Sequence, residues 1–376
     1  MNDESVEYRG VKVTLVKWFE ISRRDSNVRP MEGLRGFAVF LVFLVHYVSV
    51  SEPWTGAWLK LFGAALHSIG NKGVDVFFVL SGYLIYGSLI TKKQQFGKFI
   101  ARRAQRIFPT FLAVLAIYVA LSVVFPAESK LPSDGAAKYL LLNILLLPGI
   151  FPIEPIITVA WSLSYEMFFY LTIPVLVATL RLRSWSAKQR CALFGVAALC
   201  IIMLVSGEYT RIAMFLGGIM ICDAMKFARA PSAKLATAGL IVMLSTPLLP
   251  LQGQAKAMLI LVSCCLLCWH CFAAKSFLTQ ATSWTPLRWL GNMSYSYYLI
   301  HGLSLKFAFM VLGAFVAPGN DLFIVLFLPM LAFTLVPSAV LFLLIEKPLS
   351  LRVEGAKKEL MQSVPTTRLS EGKPLL

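Results

Sequence analysis

Charge is scarce in this sequence. Only 14% of its 376 residues are Asp, Glu, Lys or Arg, where a soluble globular domain carries about a quarter. Hydrophobic residues make up 58% and the mean hydropathy is +0.73, so a soluble domain is excluded and lipid is the solvent for most of the chain. Acids are the scarcer sign, 19 against 35 bases, for a formal net charge of +16. In a soluble protein that excess would suggest nucleic acid. No basic segment here is interleaved with the aromatic and groove-reading patterns such proteins use, and membrane topology explains the sign instead. A disulfide framework is missing too, because Cys191, Cys200, Cys222, Cys264, Cys265, Cys268 and Cys271 all fall in or beside apolar segments. The first 30 residues mix acids, bases and short apolar stretches, and lack the apolar core and small-residue cleavage site of a secretory signal. They are expected to stay in the cytoplasm as a short tail or an interfacial helix.

What the sequence has in abundance is apolar windows of near-spanning length. They lie at roughly residues 36–50, 72–90, 107–125, 160–180, 190–206, 211–227, 234–250, 257–273, 290–316 and 322–346. With the N-terminus inside, 28 Lys and Arg fall in inner segments and six in outer ones, with Lys306 within a span. That bias predicts an all-α bundle of about ten spans with both termini cytoplasmic. Three parts follow: 1–35, a cytoplasmic N-terminal segment; 36–350, the membrane domain; and 351–376, a polar cytoplasmic tail. Residues 139–157 are apolar but broken by Pro148, Gly149, Pro152 and Pro155. They are read as an outer-face segment that dips into the membrane or covers a cavity.

An ionisable side chain at depth in a span costs several kcal/mol, so such groups are functional candidates. Arg35 sits where the first window leaves the cytoplasm, and His46 follows eleven residues later, about 16 Å along a helix. His46 is read as a group for chemistry or transport, with a structural bond to a backbone carbonyl as the alternative. His301 reaches similar depth in GNMSYSYYLIH, whose hydroxyls suit a hydrated cavity or interhelical packing. Asp75 is a candidate partner for His46 in a general-base arrangement, or a salt-bridge partner of Lys72. Arg102, Arg103 and Arg106 suit phosphate oxygens, although positive-inside anchoring also predicts bases there. WSLSYEMFFY supplies Trp161 as an interfacial anchor and Glu166 at depth, needing a histidine, an arginine such as Arg211, or a hydroxyl as partner. Cys264, Cys265, Cys268, His270 and Cys271 lie on one apolar helix without a second ligand group, so no metal site is assigned.

RPMEGLRGFAVFLVFLVHY, VDVFFVLSGYLI, ARRAQRIFP, WSLSYEMFFY, SYSYYLIH and IEKP occur in that order from about residue 29 to 350. Together they resemble the acyltransferase-3 family of bacterial membrane O-acyltransferases. The resemblance implies a catalytic His46, with Arg35 as its motif partner and Arg103 and Arg106 touching the acyl donor. It implies transfer of an acyl group, acetyl above all, from cytoplasmic acyl-CoA to a hydroxyl of a surface glycan or lipid-linked oligosaccharide. The setting is the bacterial inner membrane, with acyl-CoA as donor substrate and no permanently bound cofactor. In that frame Asp75 and Glu166 join His46 as catalytic candidates, Arg102 joins the donor arginines, and Trp161, Tyr165, Tyr298 and His301 are expected to contact substrate. A homodimer is left open. Glu32 departs from the Asp often found at its position, and no hydrolase-like domain follows the last span. The competing reading is a proton-coupled transporter or flippase of a lipid-linked sugar, which the same intramembrane His and Glu would suit.

Overall fold

Backbone in lipid must satisfy its own N–H and C=O groups, and this chain does so by folding almost entirely into helices. The computed structural model describes residues 14–21, 29–319 and 321–351, and among these the nearest thing to sheet is one isolated bridge, Pro148 to Phe151. The predicted tail beyond residue 351 and most of the N-terminal segment lie outside the described residues. Residues 14–19 are helical and seat Phe19 against Trp289 and Phe342.

Fourteen α-helices follow among the described residues: α1 Arg29–Ser51, α2 Lys60–Gly70, α3 Lys72–Thr91, α4 Phe96–Val124, α5 Ala136–Ile144, α6 Trp161–Thr179 and α7 Ala187–Leu204. Then come α8 Ile212–Ala224, α9 Ala233–Ser245, α10 Gly253–Ala273, α11 Phe277–Thr282, α12 Thr285–Asn292, α13 Ser294–Gly313 and α14 Phe323–Leu341, which runs on as a π-helix over Phe342–Leu351. Seven helical stretches are long and apolar enough to cross a bilayer: Arg29–Trp54, Ala57–Thr91, Phe96–Val124, Thr158–Thr179, Ala187–Leu204, Gly253–Ala273 and Phe323–Leu351. The other three apolar windows also fold as helices. Of these, α8 and α9 have 13 residues each, and α13 is made more polar by His301, Lys306 and its run of hydroxyls.

α1 packs against α2, α3, α12 and α13, and glycines allow the closest of these approaches. A Cβ on Gly291 of α12 would lie 1.7 Å from the Glu32 carbonyl oxygen, and one on Gly36 2.0 Å from that of Leu287. Small residues bring helix backbones together where no hydrophobic drive separates protein from lipid. Glu32 and Glu20 both ion-pair with Arg288, so the Glu32 side chain ties α1 to α12. The broken stretch after α5 turns through Leu146 and Gly149, both at positive φ. Asn143 Oδ1 closes it by accepting from the Ile156 N–H at 2.9 Å.

Asp223 on α8 is fully buried and accepts from Arg190 Nε and Nη2 at 2.9 and 2.6 Å and from Tyr86 Oη at 2.7 Å. Removing one partner of a buried pair leaves the other charge uncompensated, at a cost of about 3–5 kcal/mol. Asp223→Ala should therefore lower the thermal unfolding midpoint in detergent.

Candidate functional site

Among the described residues, two adjoining cavities in the bundle share a single lining residue, Tyr298. The first, about 170 Å³, is lined by Arg35, Arg103, Arg106, Ser81, Glu166, Tyr170, Ser294 and Tyr295 among others. The second, about 210 Å³, is lined by His46, Tyr118, Ser122, Glu128, Lys130, Thr158 and Lys306 together with apolar groups of α4 and α13.

In the arginine cavity, Arg103 and Arg106 stand three residues apart on α4, so both side chains point the same way. Arg106 pairs with the fully buried Glu346 at 2.8 Å and lies over the Tyr295 ring at 5.8 Å. Glu346 also accepts from the Ser296 N–H and hydroxyl at 3.0 and 2.6 Å, which fixes the start of α13 against the π-helix. Arg35 donates to Ser294 Oγ at 3.0 Å. Arg103 lies over the rings of Phe99 and Tyr170 at 5.6 and 5.9 Å, and its buried Nε has no hydrogen-bond partner. Glu166 accepts from Ser81 Oγ at 2.8 Å and from the Tyr170 hydroxyl. Three guanidinium groups thus face two carboxylates, and Arg103 with its unpartnered Nε, together with the donors of Arg35 beyond its bond to Ser294, has hydrogen-bonding capacity for an incoming anion.

In the histidine cavity, the His46 ring meets the His301 ring edge-on, with centroids 4.9 Å apart and planes at 69°. His301 Nδ1 lies 2.9 and 3.0 Å from the carbonyl oxygens of Tyr297 and Tyr298. Carbonyl oxygens only accept, so Nδ1 carries the hydrogen and Nε2 presents a lone pair. That Nε2 is buried without a partner. At the cavity mouth Lys306 pairs with Glu128, and this ammonium holds the exposed Glu128 carboxyl below the usual carboxylate range. Lys130 is bonded to Thr158 Oγ1 at 3.2 Å and the Pro155 carbonyl at 3.3 Å. An imidazole, hydroxyls, paired charges and apolar surface in one recess suit a carbohydrate.

The sequence candidates divide accordingly. His46, His301, Arg35, Arg103, Arg106, Glu166 and Tyr298 line the cavities or touch a residue that does. Asp75 does not pair with His46; it is buried between Lys72 at 3.2 Å and Arg211 at 3.5 Å, because its face of α3 turns toward the entry to α8. Arg211 is therefore not the partner of Glu166, which takes two hydroxyls instead. Arg102 is rotated about 100° from Arg103, exposed, and bonded to Gln94. Trp161 supports the Arg211 guanidinium at 5.4 Å, and Tyr165 packs among Phe78, Trp161 and Tyr209. Both belong to the wall rather than to either cavity. Sequence reading gave no role to Glu346, although a lone carboxylate in an apolar window carries the same intramembrane signal that singled out His46. Ser81, Ser162 and Tyr170 carried no such signal.

Residues 30–343 match the family described as Acyltransferase domain. Among curated proteins the chain is 30% identical over 193 residues to Acyltransferase MdmB of Streptomyces mycarofaciens, covering 50% of this chain and 48% of that protein. It is 28% identical over 202 residues to O-acetyltransferase OatA of Staphylococcus aureus, covering 48% of this chain and 31% of that one. It is 26% identical over 320 residues to Peptidoglycan O-acetyltransferase OatA of Listeria monocytogenes, covering 73% and 49%. The matched segments thus span about a third to a half of these relatives' length. No solved structure matches the chain. With an all-helical bundle, the ordered motifs and a match over most of its length, the chain belongs to the acyltransferase-3 family of multi-pass membrane O-acyltransferases.

Proposed function

We propose that the protein takes an acyl group, acetyl in the first instance, from cytoplasmic acyl-CoA. It passes the group to a hydroxyl of a surface glycan or lipid-linked oligosaccharide on the outer side of a bacterial inner membrane. The observation that carries this reading is the placement of Arg35, Arg103 and Arg106 in one cavity and of His46, backed by His301, in the next, stacked along α1 and α13. Ten crossings with both termini cytoplasmic put the arginine cavity inside, consistent with the charge segregation of the loops. The names of the relatives support acetyl as the group and a glycan such as peptidoglycan as the acceptor class.

The arginines hold phosphate oxygens of the donor, and the pantetheine arm extends along the bundle toward His46. His46 removes the proton of the acceptor hydroxyl as its oxygen attacks the thioester carbonyl. The C–S bond breaks, and the proton passes to the departing thiolate, leaving free CoA and an ester. The unpaired Nε2 of His301, beside His46, accepts and returns a proton while His46 reorients. Glu166 stays hydrogen-bonded to Ser81 and Tyr170 and balances the arginine charge.

The test is acyl-CoA consumption by purified protein in liposomes, with and without an extracted cell-surface glycan. Free CoA that appears only with wild type and glycan supports transfer. Movement of a lipid-linked sugar driven by a proton gradient, with no CoA released, would replace it with transport. A charge-assisted hydrogen bond contributes about 1.5–3 kcal/mol, so Arg103→Ala should raise the acyl-CoA KM on the order of tenfold to a hundredfold. Its kcat at saturating donor should change little, as read from initial rates of CoA release.

A further inference from the structure

Resting on that reading, the donor binds in one cavity and its acyl group reacts in another, so something must stand between them and yield. The side chain of Tyr298 is the one group that faces both. Its ring is braced by Phe77 of α3, with centroids 6.1 Å apart, and by His301, at 6.4 Å. Its hydroxyl donates to the Val159 carbonyl at 3.1 Å and lies 2.7 Å from Ser162 Oγ. Ser162 belongs to the lining of the arginine cavity and Val159 to that of the histidine cavity, so the phenol is pinned to both walls at their boundary.

We infer that Tyr298 is a movable partition between the donor and acceptor cavities, and that its displacement admits the acyl thioester to His46. Held closed by two hydrogen bonds, it keeps water and small ions from running the length of the bundle. It also keeps outer water away from a thioester that would otherwise hydrolyse to a carboxylic acid and free CoA thiol. Only these two hydrogen bonds anchor the hydroxyl, so an arriving acyl chain can displace the ring. The acceptor hydroxyl, already in the histidine cavity, then meets the thioester in place of water. Tyr298 is thus a positioning residue that couples donor breakdown to transfer.

Two measurements test this. The first is the ratio of acyl groups hydrolysed to acyl groups transferred, from total CoA release and glycan ester in the same reaction. Tyr298→Ala should raise that ratio on the order of tenfold, equivalent to about 1.4 kcal/mol. Tyr298→Phe and Ser162→Ala, which keep the ring and remove its anchors, should raise it less. The second needs no donor: proton leak through proteoliposomes, followed with an entrapped pH dye. Tyr298→Ala should leak and wild type should not. A merely structural residue would lower both fluxes together and leave the ratio fixed. An unchanged ratio in all three variants, or a Tyr298→Ala protein as tight as wild type, overturns the partition. If wild type releases no CoA while the Tyr298→Ala leak persists, the acyl-CoA reading falls and the partition stands.

Discussion

His46→Ala should lower acyl transfer by roughly a hundredfold to ten-thousandfold, the range for loss of a positioned general base, while the protein still purifies with a near-wild-type unfolding midpoint. The side chain is only half-buried and faces a cavity, so truncation enlarges an existing space and opens no new void in close packing. His301 keeps its Nδ1 bonds to the Tyr297 and Tyr298 carbonyls, which hold its ring in place without His46. His46→Gln keeps hydrogen-bonding capacity but cannot take up a proton at neutral pH, and should be as inactive as the alanine variant. Initial rates of CoA release in the presence of glycan read both variants. Recovery of more than about a tenth of the rate in His46→Gln would assign His46 to binding rather than proton transfer. An acyl-protein adduct trapped in wild type and absent from His46→Ala would instead favour a covalent route through the imidazole.

Glu346→Ala should lower stability by about 3–5 kcal/mol. Glu346 is fully buried, and its removal leaves Arg106 without its counter-charge and the Ser296 N–H and hydroxyl without their acceptor. The effect reaches function because Arg106 and α13 are both held through this carboxylate. Glu346→Gln keeps an acceptor for Ser296 but no charge for Arg106, and should fall between alanine and wild type. Thermal unfolding in detergent gives the order, and the acyl-CoA KM should rise in the same order. A Glu346→Ala protein of wild-type midpoint would show that Arg106 and Ser296 find other partners.

Much of the candidate site was legible one residue at a time. Arg103 and Arg106 could be picked out because arginine forks suit phosphate oxygens, and His46 and His301 because an ionisable group in an apolar window has so few inexpensive roles. The same rule, applied to Asp75, named a residue whose charge is used up by Lys72 and Arg211. The arginine reading named Arg102 as well, because a run of basic residues on one helix does not show which members face inward. Glu346 was passed over as part of IEKP, although it too is a lone carboxylate in an apolar window. Ser81, Ser162 and Tyr170 are ordinary in an apolar helix and become informative only through Glu166 and Tyr298, which they touch.

The sequence by itself determined the solvent, the helical windows and the family, because hydropathy and short motifs are local properties of consecutive residues. Lipid requires each window to satisfy its own backbone, so a helix follows from composition before any tertiary contact forms. Only the tertiary structure decided which charges pair with one another and which remain for a ligand. Those outcomes depend on the rotation of each helix and on contacts such as Arg35 to Ser294, 259 residues apart in sequence. The division of the interior into two cavities at Tyr298 is of the same kind. It arises where α3, α6 and α13 meet, and no one of their sequences contains it.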